Sequence, residues 1–378
     1  MDAHFYMFES NSIRPVSHGD HHDHYDAAYA EKYILDTIGA PYTRYKNSLL
    51  ARVIADMEYG HVVDIGSNVS AILRLPGSLR FQLEQYGITY TGVDVIEEYF
   101  NPESAKNLGI HDEHIYDSID HRLASAEKLP FQDNSLDAVV CADVIEHVDH
   151  PDQAFNEMAR VLKPEGRALV IVPSMYKLDL FDFDYIENKR KSSHESKLNG
   201  NEWQNLWEDA GMEMDVVESR PLGIASGLSY LSWLDEDVVP ERHSLKDEQK
   251  LSENARIQRE MKKLLATHDE AIDLIIFEKG LATAFITLLK NGDVHGVFAL
   301  LKNILLEDIH LEERERGICE SFFTMTAKAE YPEVYIQKIR DTFGSAEHPE
   351  LLLGNSTLVV LKHKEHILRN DVRDDAVS

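Results

Sequence analysis

Apolar positions in the first part of this chain switch repeatedly between two periods. From Tyr42, "YTRYKNSLLARVIADM" carries apolar residues at helical spacing, and Gly60 stops it. Short runs follow with the alternation or continuous apolarity of strands: "HVVDIG", "ITYTGVDV", "HRLASAE", "LDAVVCAD", "GRALVIVPS" and "MEMDVVESR". Between them "SAILRLPGSLRFQLEQYG" reads as mostly helix or irregular, and "DQAFNEMARVLKP" and "NEWQNLWEDAG" read as helices. Strands alternating with helices, several of them apolar on both faces, predict an α/β fold with a doubly wound, mostly parallel sheet.

After Pro221 the texture changes. From about Leu245 to Phe343 helical patterns follow one another without strands, as in "ENARIQREMKKLLATH", "EAIDLIIFEKGLATAFITLLKNG", "DVHGVFALLKNILLED" and "EERERGICESFFTMTAKAE". Then "NSTLVVLKHK" returns to a β-branched, apolar strand. Ile272, Ile275, Ile276, Leu281, Phe285, Leu288 and Leu289 form more than one narrow stripe, which implies burial on more than one side. These helices have two readings: a roof over a substrate pocket, or a face that pairs two subunits into a homodimer.

Of the 378 residues, 43% are apolar and 28% charged, as in a soluble globular protein, and 38 basic against 67 acidic residues give a net charge of -29. Such a surface repels phosphate backbones and anionic membranes, so neither nucleic acid nor membrane is an expected partner. Cys141 and Cys319 lie far apart and support no disulfide framework. The N-terminal residues lack a basic segment followed by an apolar run, and the most apolar helical region is broken by Lys290, Asp293, His295 and Lys302. The expected location is cytoplasmic.

In an open parallel sheet, ligands bind beyond the carboxyl ends of the strands, where the strand order reverses. The first strand ends at Asp64-Ile65-Gly66, and glycine there permits a tight turn and a close approach to backbone. Asn68 tolerates left-handed angles; Ser70 offers a hydroxyl instead. Asp94 closes the second strand, where a carboxylate accepts hydrogen bonds from ribose hydroxyls. The G-x-G-x-x-G spacing of nicotinamide sites is missing.

"VVDIGSNVS", "YTGVDV" and "ASAEKLPFQDNSLDAVVCADVIEHVDHPDQAFNEMARVLKPEGRALVIVPS" together resemble the class I S-adenosylmethionine-dependent methyltransferases. The specific part is Leu129-Pro130-Phe131, Asp133, Ser135, Asp137, Glu146-His147 and Arg160 to Pro164, in order over some fifty residues. The resemblance spans about residues 42 to 220. It implies a seven-stranded Rossmann-like sheet with an antiparallel last strand, placing the late helices as an insertion before that strand. The domains are then a leader and lid helix over 1–40, a cofactor-binding core over 41–222, a helical insertion over 223–350, a closing strand over 351–366 and a tail over 367–378.

The resemblance also implies S-adenosylmethionine as cofactor and a site for it. The family pattern is near D-x-G-x-G-x-G, with Asn68 and Ser70 on its second and third glycines. Asp64, Gly66, Ser67 and Asn68 would line the methionine half, Asp94 would take the ribose, and Val95, Ser125 and Ala126 would lie at the adenine. Ala142 and Asp143 would close over the sulfonium, and Arg44 would either pair with the cofactor carboxylate or stand as a surface arginine. His147 and His194 are candidate bases, each with a purely structural reading beside it, and Lys189-Arg190-Lys191 could meet an anionic substrate or be a solvated run. The histidines His18, His21, His22 and His24 lack the spacing of a closed metal site, so no metal is expected. Tyr25, Tyr29 and Tyr33 share one helical face. The function implied is methyl transfer to a small-molecule or sugar acceptor. The alternative is a catalytically silent cofactor-binding protein, motivated by Ser70 and Ser125.

Overall fold

The computed structural model describes residues 40–68, 77–96, 120–173, 200–232 and 253–364. The leader with its histidines and tyrosines, Ser70, Lys189 to Lys191, His194 and the tail lie outside them.

Strands β1 (His61–Ile65), β2 (Thr89–Asp94), β3 (Asp120–Leu123), β4 (Leu136–Ala142) and β5 (Leu162–Pro173) run parallel. β8 (Ser356–His363) lies antiparallel beside β5 and also pairs, antiparallel, with β6 (Met212–Met214) and β7 (Arg220–Leu222). The order β3-β2-β1-β4-β5-β8-β6, with β7 on β8, reverses between β1 and β4. This is the doubly wound, mostly parallel sheet that the alternation predicts, closed by an antiparallel strand.

It has eight strands among the described residues where seven are expected. "MEMDVVESR" supplies a short β6, then turns: the Ser219 amide and hydroxyl both bond to the Asp215 carbonyl, and the chain re-enters as β7. The Ser219 hydroxyl also accepts from the Val360 amide, so the turn itself is fastened to β8.

Successive side chains of a strand face opposite ways, and here both faces are buried. Val62, Val140, Leu169, Ile171 and Val360 meet Leu49, Leu50, Val53 and Ile54 of α1 (Pro41–Asp56) and Leu83 of α2 (Leu79–Glu84). Val63, Cys141, Val170 and Val359 face the other way, toward Phe155 and Met158 of α3 (Pro151–Val161) and Trp203 and Trp207 of α4 (Gly200–Asp209). Phe155 meets both tryptophans edge-on, at centroid separations of 6.4 and 6.1 Å, a favoured aromatic geometry.

After β7 come α5 (Ile224–Ser229), α6 (Glu253–Glu278), α7 (Ala282–Lys290), α8 (Val294–Asn303), α9 (Glu313–Lys328) and α10 (Glu333–Ser345), then β8. The patterns "ENARIQREMKKLLATH" and "EAIDLIIFE" merge into the single 26-residue α6. That helix gives way at Gly280, whose φ of 64° is the left-handed angle at which a helix ends with least strain. Met261, Leu265, Ile272, Ile276, Phe285, Val297, Phe322 and Phe343 continue the core of the α3–α4 side without a break. The helical insertion thus shares the hydrophobic core of the sheet. No helix among the described residues is long and apolar enough to cross a membrane.

Candidate functional site

The carboxyl ends of β1, β2 and β4 meet at the reversal of strand order. Gly66 follows β1 with φ at 71°, and a side chain there would lie 2.3 Å from a methyl of Val144. Its amide and that of Ser67 donate to the Val93 carbonyl at 2.8 and 3.0 Å, tying the loop after β1 to the end of β2. Asn68 takes a left-handed φ of 42°, the conformation asparagine tolerates in place of glycine. That turn aims its amide at Asp94, which accepts at 2.8 Å.

Asp94 is buried, and its other oxygen accepts from the Ile96 amide at 3.1 Å. Burial pushes its carboxyl up to about 6, against the pull of backbone amides from Asn68, Ile96 and Val95. The carboxylate is thus oriented by backbone amides at the open end of β2. The Ala124 amide bonds to the Asp94 carbonyl, bringing Ser125 and buried Ala126 alongside. Ser125 accepts from the Glu127 amide at 3.1 Å, which fixes its hydroxyl beside the end of β2.

Asp64 is buried at the end of β1 and accepts a 2.6 Å hydrogen bond from Tyr90. Burial raises its carboxyl to about 7, offset by Tyr90 and by the charge of Lys46. Asp143 follows β4 with a left-handed φ of 57° and forms an ion pair with Lys46 of α1. Burial pulls the Lys46 ammonium down, and Asp143, Asp64 and Glu146 more than restore it, so the lysine stays charged. Glu146 and His147 occupy a short 3₁₀ turn, Ile145–His147, with Glu146 buried and the His147 Nε2 3.9 Å from its carboxylate. Val95 and Ala142 lie half-buried between these charged groups and the core.

The structure brings Asp64, Gly66, Ser67, Asn68, Asp94, Val95, Ser125, Ala126, Ala142, Asp143 and His147 to one edge of the sheet. Arg44 it does not: the side chain is exposed, because two residues along a helix is a turn of about 200° and Lys46 takes the buried side. Lys46 was legible only as a lone cation on the otherwise apolar face of Tyr42, Tyr45, Leu49 and Val53.

A second finding is how the insertion reaches this edge. Leu222 and Pro173 both pair with Ser356, so β7 ends level with β5, and Gly223 and Ile224 follow at the carboxyl edge. Asp273 of α6 accepts from both of those amides, at 2.7 and 2.8 Å, and from Tyr45 of α1 at 2.8 Å. Asp269, one turn earlier, accepts from the Ser226 amide and hydroxyl at 3.2 and 2.6 Å. Burial, and then the charge of Asp269, pushes the Asp273 carboxyl up to about 8. No spacing in the sequence pairs Tyr45 with Asp273.

Residues 75–170 match a family model described as a methyltransferase domain. The ubiquinone/menaquinone biosynthesis C-methyltransferase UbiE of Brucella canis is 44% identical over 73 residues, 19% of this chain and 27% of that protein. The methyltransferase YcgJ of Bacillus subtilis is 27% identical over 184 residues, 47% of this chain and 66% of that one. The chain thus spans about a quarter of the UbiE relatives it matches and just under two thirds of YcgJ. Among solved structures, YcgJ of Bacillus subtilis aligns with a TM-score of 0.35 at 23% identity, covering 47% of this chain and 73% of that one. An S-adenosylmethionine-dependent methyltransferase from Thermotoga maritima aligns with a TM-score of 0.34 at 21% identity, covering 52% and 83%. The motif-bearing strands, the reversal point between β1 and β4 and the matched domain agree: the chain carries a class I S-adenosylmethionine-dependent methyltransferase domain.

Proposed function

We propose that this protein transfers a methyl group from S-adenosylmethionine to a small-molecule or sugar acceptor. The observation that carries the reading is Asp94: a buried carboxylate at the end of β2, oriented by the Asn68 and Ile96 amides, beyond the carboxyl end of the strand. The cofactor supplies an electrophilic methyl on a sulfonium. Asp94 holds the ribose; Asp64, Gly66, Ser67 and Asn68 bound the methionine half; Val95, Ser125 and Ala126 bound the adenine. Ala142 and Asp143 bound the sulfonium side, where carboxylates favour a cation. A methyl passes in line from sulfur to acceptor, so the chain must align the two and remove a proton where the acceptor carries one. His147 stands two residues beyond Ile145, past the end of β4, and is the base proposed for that proton, with His194 as the second candidate.

The acceptor class rests on charge. A net charge of -29 disfavours polyanionic partners, which leaves small acceptors. α6 is bonded to the same carboxyl edge through Asp273, which supports the insertion as a roof over the acceptor. Leu274 and Phe277 remain exposed on α6 and support a second job, pairing two copies of the chain. Light scattering on the Leu274→Glu, Phe277→Glu double variant tests that, and an unchanged oligomeric state removes it.

Calorimetry with S-adenosylmethionine and S-adenosylhomocysteine tests the main reading. Binding of neither defeats it. Binding without turnover on a panel of sugars, amines, phenols and thiols favours a silent cofactor-binding protein instead.

A further inference from the structure

We infer that the root of the insertion is a pH-operated latch. With a proton on Asp273 beside Asp269, α6 is held against the start of α5; loss of that proton sets two like charges one turn apart in the core and frees α6 from Gly223–Ser226. The latch stands on the insertion's own contacts, and only its use as a gate for the acceptor rests on the methyl-transfer reading above.

Three features point to it. The first is how the insertion is fastened. It leaves the sheet at Leu222–Gly223 and returns at Asn355–Ser356, where the Asn355 amide donates to the Leu222 and Gly223 carbonyls at 2.7 and 3.1 Å. A side chain on Gly227 would begin 2.4 Å from the Leu353 carbonyl oxygen, so α5 lies backbone to backbone on the returning leg. α6 grips this root with two carboxylates, Asp273 on the Gly223 and Ile224 amides and Asp269 on the Ser226 amide and hydroxyl.

The second is what faces them. Asp269 and Asp273 are each 1% exposed. α5 and the leg 353–356 carry no titratable side chain. α1 brings Tyr45 and Tyr42, phenols held neutral by burial and by nearby carboxylates, Asp269 and Asp273 among them. Asp143, which also acts on Tyr42, is paired with Lys46. α9 meets α6 through Glu315, which is taken by His268, and Asp308 of the π-helical turn Ile304–Asp308 is taken by Lys279.

The third is the balance of forces on Asp273. Burial and then the charge of Asp269 disfavour its ionised form, and the Ile224 and Gly223 amides with Tyr45 offset them only in part. The closed latch therefore keeps a proton up to about 8, whereas an opened one, solvated, releases it near the ordinary 3.8. Closing weakens as pH rises through that window and changes no further above it. β7 ends level with β5 at the carboxyl edge, so freeing α6 there uncovers the side from which an acceptor would enter.

Hydrogen exchange of the full chain without ligand, resolved at the Gly223, Ile224 and Ser226 amides, tests the latch. Corrected for intrinsic rates, protection there is expected to fall by up to about tenfold per pH unit from pH 5 to 8 and to level off above. It is expected to stay below that of the Val140 and Val170 amides in the sheet, because the latch opens before the sheet does. Asp273→Asn is expected to abolish the decline, and Asp269→Asn to end it at a lower pH. Equal protection at root and sheet overturns the inference, since the insertion then opens only with the whole protein. A decline that Asp273→Asn leaves in place overturns it too; where that variant does not fold, Asp269→Asn decides, and an unmoved endpoint overturns it. Calorimetry with S-adenosylhomocysteine bears on the acceptor's entry alone, so failure of the latch and failure of the methyl-transfer reading are told apart.

Discussion

The Tyr45 hydroxyl donates to the Asp273 carboxylate at 2.8 Å, although 228 residues separate them in sequence. Tyr45 belongs to α1, which covers one face of the sheet; Asp273 belongs to the insertion, whose core continues the other. Their bond crosses the carboxyl edge, next to Lys46. It makes the insertion a structural part of the site's wall, and what loosens it is expected to reach the cofactor end of α1.

Removing the hydroxyl alone isolates this effect. Tyr45→Phe keeps the ring in the core and leaves Asp273 one donor short, at a cost of about 1–3 kcal/mol for a buried polar group deprived of a partner. Urea unfolding followed by circular dichroism is expected to show a lower midpoint with an unchanged slope. A midpoint equal to the parent's would mean that the bond adds nothing to stability.

The same carboxylate predicts how stability varies with pH. Asp273 sits at about 8 in the folded protein against an ordinary value of 3.8. Between those values the folded state holds a proton that the unfolded chain has released, so stability falls as pH rises across the window. Below it the penalty is absent. Asp273→Asn lowers stability throughout, because an amide cannot accept from all three donors, but is expected to flatten the decline by up to about 1.4 kcal/mol per pH unit. Thermal melts of both proteins from pH 5 to 8 measure the slopes; parallel slopes would locate the titration elsewhere.

Asp94 titrates lower, at about 6, and its effect falls on binding. Its ionised form is the one that accepts from two hydroxyls, so affinity for S-adenosylhomocysteine is expected to weaken as pH drops below about 6 and to level off above it. Asp94→Ala is expected to lower affinity roughly 10- to 100-fold at pH 8, with the pH dependence lost. Undiminished affinity in that variant would sink the assignment of the pocket.

Gly66 is constrained twice, by a left-handed φ and by Val144 at 2.3 Å from where a side chain would begin. Gly66→Ala is expected to destabilise the protein by about 1–2 kcal/mol for the backbone angle, with the collision adding to that. Pairing it with Val144→Ala should relieve the collision and leave the backbone part. Denaturation midpoints of the four proteins close the cycle, and strict additivity would show that the two sites do not touch.

Local chemistry wrote much of this protein into its sequence. β-branched runs ending in Asp64-Ile65-Gly66 and Val93-Asp94 specify strands, their direction of burial and the acids at their ends, since each depends only on neighbours along the chain. The order of α/β units, the late strand at Ser356 and the helices before it were legible for the same reason. The split of "MEMDVVESR" into β6 and β7 was not, because a turn stapled to Val360 depends on a strand more than a hundred residues away. The apolar patterns break off at His268 and resume at Glu270, yet His268, Asp269 and Glu270 all belong to α6, which turns Asp269 toward Ser226.

Charges were the least legible feature. Arg44 and Lys46 are two residues apart on one helix, and only the docking of that helix on β1 and β4 decides which of them faces inward. Asp273 looks like an ordinary surface acid in sequence, and its burial against Tyr45, Gly223 and Ile224 gives it its role; Asp143 is marked in sequence by its place after β4, but its ion pair with Lys46 is not. The sequence by itself determined the strands, the turn at Gly66 and the acids that end β1 and β2, all set by short-range sterics and apolar periodicity. Only the tertiary structure decided which charges meet, because that depends on distances between elements that no spacing along the chain records.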